Sequence, residues 1–64
     1  MTSLKLIRQE RNLTQVELSK RARISLRTLQ DYEQGKKDIN VAAALTVYKL
    51  AVALSCNMED LLEI

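Results

Sequence analysis

An all-α fold is predicted by three features of this sequence. Proline is absent and Gly35 is the only glycine, so β-turns have few of their usual residues. Helix formers such as Leu, Ala, Lys, Arg, Glu and Gln are abundant, and apolar residues recur at helical spacing between capping residues. The 64 residues make a single domain, 1–64, with no repeat, linker or low-complexity tract. A chain of that size buries only about 60% of the surface its unfolded form exposes, so its stability margin is expected to be thin.

Five helices joined by short links are expected. The first runs from Thr2 or Ser3 to Arg11 with Leu4, Ile7 and Leu6 inward, and Asn12 ends it. Thr14-Gln15-Val16-Glu17 reads as a capping box, which starts a second helix near Gln15; that helix reaches Ala22, with Val16 and Leu18 as core candidates. After the short turn Ala22-Arg23-Ile24, Ser25 is a good N-cap for a third helix, whose Leu29 and Tyr32 share a face. Gly35 closes it, where positive φ is often needed. Lys36 to Ile39 form a connector, and Asn40 caps a fourth helix to Leu54 with a core stripe of Ala44, Val47, Ala51 and Leu54. A second stripe, Val41, Leu45, Tyr48 and Val52, lies on another face. Asn57 caps a last short helix with Asp60 three residues on.

Composition narrows the function. No stretch has the roughly 18 uninterrupted apolar residues of a membrane span, and the start of the chain lacks a secretory apolar region, so a cytoplasmic protein is expected. Cys56 is the only cysteine and there is no histidine. No internal disulfide can form, a metal site is not expected, and the commonest general acid or base is missing. An enzyme, a cofactor or a small-molecule ligand is therefore not expected. The net charge of +2 is unevenly spread: up to Lys37, nine basic residues face four acidic ones, whereas from Asp38 onward Lys49 stands against four acidic residues. That split suggests that the first half meets a polyanion, although a solvated surface would look the same.

Two short helices joined by three or four residues form a helix-turn-helix, a unit that places its second helix in the major groove of double-stranded DNA. The run Leu13-Thr14-Gln15-Val16-Glu17-Leu18, then Ile24-Ser25, Leu29 and Tyr32-Glu33-Gln34-Gly35-Lys36-Lys37, closely resembles the Cro and lambda-repressor-like family. The likeness extends to Leu4, Ile7 and Arg8, to Tyr48-Lys49-Leu50-Ala51 and Ala53-Leu54, and to Met58-Glu59-Asp60-Leu61-Leu62. Two departures stand out: Arg23 occupies a turn position that is often glycine, and the connector after Gly35 is about three residues longer than usual.

The resemblance implies a compact lambda-repressor-like domain that acts as a sequence-specific transcriptional regulator, a repressor binding its operator as a homodimer. It puts Leu26, Arg27, Thr28, Gln30 and Asp31 against base edges. Arg27 suits a guanine, and Leu26 a thymine methyl; Arg27 and Asp31 are also spaced to pair on the helix surface. Thr14, Gln15, Lys36 and Lys37 are placed against phosphates, with Thr14 equally suited to be a cap alone. Arg8 and Glu33 are implied to form a partly buried salt bridge, which takes Arg8 out of the DNA site. Val41, Leu45, Tyr48 and Val52 are the candidate dimer interface, unless the longer connector folds back over them. The alternative reading is a protein-interaction module, such as an antitoxin-like partner, to which Asp31, Leu26 and the modest net charge lend support.

Overall fold

The computed structural model describes residues 2–64. Among them are four α-helices, α1 (Ser3–Glu10), α2 (Gln15–Ala22), α3 (Leu26–Glu33) and α4 (Ala44–Leu54), and two 3₁₀ turns at Ile39–Val41 and Met58–Leu61. The all-α expectation holds. The fifth helix is instead a single 3₁₀ turn, because the chain turns extended at Leu62, four residues after it starts.

Side chains start the first three helices. Thr2 accepts from the Lys5 amide ahead of α1. Thr14 Oγ1 accepts from the Glu17 amide at 3.1 Å while Glu17 Oε1 accepts from the Thr14 amide at 2.9 Å, the reciprocal pair the sequence predicted. Ser25 Oγ accepts from the Thr28 amide at 3.0 Å.

All four helices end in the same way. A residue with positive φ follows each last turn: Asn12 (58°), Arg23 (56°), Gly35 (78°) and Ser55 (55°). The next residue's amide then reaches back five positions, as in Leu13 to Arg8, Ile24 to Ser19, Lys36 to Asp31 and Cys56 to Ala51. This is the Schellman arrangement, which satisfies carbonyls that helix geometry leaves open. In three cases the residue so placed, Leu13, Ile24 or Cys56, packs on or within the core.

The start of α4 departs from expectation. Asn40 does not cap it; the helix begins at Ala44 with no side-chain cap. Asn40 instead exchanges two bonds with the backbone of Glu63, its Nδ2 donating to the carbonyl at 3.1 Å and its Oδ1 accepting from the amide at 2.7 Å. An asparagine amide offers a donor and an acceptor side by side, which the C=O and N–H of one residue complement. The extra connector residues form the 3₁₀ turn, begun by Asp38 Oδ1 accepting from the Asn40 amide, and they insert Ile39 into the core.

Six leucines, Leu4, Leu18, Leu29, Leu50, Leu54 and Leu61, are completely enclosed and come from all four helices and the last turn. Burial of one leucine is worth about 1.5–3 kcal/mol. Leu6 and Val16, expected inside, lie nearly half exposed. Each sits two residues from a core leucine on the same helix, and residues two apart do not share a face. On α4 the core face is Val47, Leu50, Ala51 and Leu54; Ala44 is exposed at the helix start.

Arg23 holds its left-handed conformation at a steric cost of about 1–2 kcal/mol. Glycine would remove that cost but add about 0.5–1 kcal/mol of unfolded-chain entropy. Arg23→Gly is therefore expected to stabilise the domain by about 0.5 kcal/mol, read as a higher urea midpoint with unchanged slope; a lower midpoint would show that the arginine side chain contributes more than the turn costs.

Candidate nucleic-acid interface

One buried ion pair ties α1 to the end of α3. Arg8 Nε donates to Glu33 Oε2 at 2.7 Å and Arg8 Nη2 to Glu33 Oε1 at 3.0 Å, with the Glu33 side chain only 1% exposed. Arg8 Nη1 donates to the Leu13 carbonyl at 2.8 Å, so the guanidinium also fixes the link into α2. A planar fork that meets both carboxylate oxygens is the geometry in which a buried pair offsets its desolvation best. Arg8 thus joins α1 to the end of α3 and does not face outward.

On that base, the amino ends of α2 and α3 remain open. The amides of Gln15 and Val16 precede the first intrahelical bond of α2, Leu18 to Thr14, and the positive end of a helix dipole favours an anion there. Thr14 serves as a cap, with its hydroxyl accepting from Glu17. The same reciprocal bonding holds the Glu17 carboxyl below its ordinary pKa, through the Thr14 backbone amide first and its hydroxyl second. The Gln15 side chain is turned inward, with Nε2 donating to Glu33 Oε1 at 3.1 Å and Oε1 accepting from Gln30 Nε2 at 3.4 Å. The motif's spacing carried no signal of this contact between residues fifteen apart.

At the start of α3, Leu26 and Arg27 are exposed, and the Arg27 side chain is 79% accessible. Its Nε donates to Asp31 Oδ1 at 3.3 Å. That bond uses the Nε–H, and among the described residues neither terminal nitrogen has a hydrogen-bond partner, so both keep their donors. The Asp31 side chain is only 14% exposed, which places it beside Arg27 rather than out in front of the helix. Thr28 accepts from Ser25 Oγ at 2.8 Å and is partly covered, as is Gln30. The connector lysines are exposed, and the Asp31 carbonyl accepts from both of their amides, at 2.8 and 3.2 Å. Lys37 lines a shallow cavity with Thr2, Tyr32, Asp38 and Glu63.

The residues implied for DNA therefore lie at the start of α2, along α3 and on the connector, Arg8 and Glu33 form the buried pair, and Val41, Leu45, Tyr48 and Val52 lie apart on the first 3₁₀ turn and α4. A helix-turn-helix family model matches residues 4–61, from the buried Leu4 to the buried Leu61. The chain belongs to the Cro and lambda-repressor-like helix-turn-helix family. No curated protein matches the sequence. Members of this helix-turn-helix family are DNA-binding regulators and not typically enzymes. No described helix is long and apolar enough to cross a membrane.

Cys56, beyond α4, is partly covered, and burial raises its thiol pKa with the Asp60 charge adding to the effect. A thiol so held is a weak nucleophile at neutral pH.

If Arg8 and Glu33 hold the motif as the geometry indicates, Arg8→Met strands a buried carboxylate and is expected to lower unfolding stability by about 3–5 kcal/mol. The double variant Arg8→Met with Glu33→Leu should recover most of that loss in urea unfolding; equal losses in both would exclude the stranded charge as the cause.

Proposed function

We propose that this chain is a sequence-specific transcriptional regulator, a repressor that occupies an operator in double-stranded DNA as a homodimer, acting in the cytoplasm where the DNA is. The observation that carries the reading is the exposed amino end of α3 in a matched helix-turn-helix, with Arg27 presenting its terminal nitrogens. A guanidinium in that state suits the O6 and N7 acceptors of guanine in the major groove. Leu26 is placed for a thymine methyl, with Thr28 and Gln30 on the same helix as further base contacts. Asp31 acts mainly by steadying Arg27. The open amides of α2, together with Lys36 and Lys37, take phosphates and set the register. The mechanism is occupancy: a bound protein denies the site to polymerase.

This reading predicts steeply salt-dependent binding. In a mobility-shift titration, affinity for duplex DNA should fall sharply between about 50 and 200 mM salt. Lys37→Ala should weaken all sequences alike and reduce the salt slope by about one, while Arg27→Ala should relax preference at one base pair by about 1–3 kcal/mol. Binding that ignores salt, or no binding at any salt, would favour a protein-interaction module instead.

The homodimer is supported by an apolar stripe that the connector leaves uncovered. Val41 is 80% exposed on the first 3₁₀ turn, and Leu45, Tyr48 and Val52 are 61, 56 and 59% exposed along α4. Exposed apolar surface of this kind marks interaction sites, and a two-fold dimer is the form that reads two half-sites one helical turn apart. Sedimentation equilibrium should show dimers at micromolar concentration, and Leu45→Glu or Val52→Glu should yield folded monomers. Wild-type protein that stays monomeric throughout that range would rule out this interface.

A further inference from the structure

We propose that Arg23, in the turn between α2 and α3, is a phosphate ligand on the strand that borders the major groove; this rests on the DNA-binding reading above and adds a contact to it. Four residues follow a helix with positive φ, so strain alone does not single Arg23 out. Gly35 adopts that conformation freely and asparagine tolerates it, whereas Arg23 and Ser55 hold it against a steric preference. What separates Arg23 from Ser55 is a charge left without a partner beside the start of α3. Of the five arginines, three are engaged through Nε: Arg8 with Glu33, Arg11 with the Leu54 carbonyl at 2.8 Å, and Arg27 with Asp31. Arg21 lies close enough to Glu17 to help lower its carboxyl pKa. Arg23 is exposed and has no hydrogen-bond or salt-bridge partner through its side chain among the described residues.

The position of that free guanidinium follows from its neighbours. Ile24 packs against the core, and Ser25, one residue further, caps α3. At most about 7 Å of chain therefore separates Arg23 from the start of that helix. A helix that enters the major groove by its amino end has its first residues among the bases, and the residues ahead of its cap lie back toward the strand at the groove's edge. A guanidinium there meets phosphate oxygens, which accept its paired N–H groups and carry no sequence information. A cation at the carboxyl end of α2 also complements the helix dipole, and the two roles predict different results. If the dipole is all that Arg23 serves, its loss lowers stability and leaves DNA binding alone.

The test is a mobility-shift titration on mixed-sequence duplex DNA between about 50 and 200 mM salt, with wild type, Arg23→Gly, Arg23→Asn and Arg23→Lys, each also unfolded in urea. Glycine and asparagine both accept the conformation of the turn, so a failure of one to fold leaves the other to decide. Each should bind every duplex about eightfold more weakly at about 0.1 M salt, the counterion release of one phosphate, with a salt slope smaller by about one. Arg23→Lys keeps the charge and should restore most of the slope. An unchanged slope in folded Arg23→Gly or Arg23→Asn, beside a salt-dependent wild type, overturns this inference and leaves the regulator reading standing; a lower urea midpoint with it would assign Arg23 to the helix dipole. A changed preference at one base step in selection from a random duplex pool overturns it too, since Arg23 would then be a base reader. If the wild type itself shows no salt-dependent duplex binding, the regulator reading falls before any variant is compared, and this inference falls with it.

Discussion

The arrangement of the motif depends on one carboxylate that is almost wholly removed from water. Glu33 lies on the last turn of α3, yet its bonds reach α1 through Arg8 and the first turn of α2 through Gln15. Arg8 adds the carbonyl of Leu13, which lies between α1 and α2. Three helices that share little sequence-local contact are thereby set at one mutual angle. Buried leucines supply most of the favourable free energy, but an apolar contact has no direction. The fork of a guanidinium on a carboxylate does have one, and it fixes how α1, the first turn of α2 and the end of α3 meet at Glu33.

Helix termination shows how a chain with one glycine solves a problem usually given to several. Each helix stops with a residue of positive φ, and only one of the four is Gly35. Asparagine adopts that conformation more readily than most residues, whereas arginine and serine accept it against a steric preference. In return, the residue that follows is delivered to the core at a fixed point, as with Leu13 and Ile24. Turn geometry and core packing are consequently the same event in this fold.

Much of the architecture was readable in the chain, because its helix starts and stops are local chemistry. Thr14 with Glu17, Ser25 with Thr28, and Gly35 each act over three or four residues, and the structure places them as the spacing indicated. Misreadings arose where a residue's partner is distant. Asn40 looks like a cap until the backbone of Glu63 is brought beside it. Asp60 does accept from the Asn57 amide, but the turn that Asn57 begins ends before it becomes an α-helix. Leu6 and Val16 are apolar, but their phase on the helix puts them outside. At the candidate site, the exposure of Arg27 followed from its place at the start of α3. The inward turn of Gln15 did not, since nothing at that spacing marks its bonds to Glu33 and Gln30.

The three helices α1, α2 and α3 are each eight residues long. Isolated helices shorter than about 12–15 residues are marginal in water, so none of these would persist outside the assembled core. The surface offered to a polyanion exists only in molecules that have folded completely. Ligand capture and folding therefore form one linked equilibrium: whatever binds the native form holds the population there, and a core substitution remote from every contact weakens occupancy simply by thinning the native population.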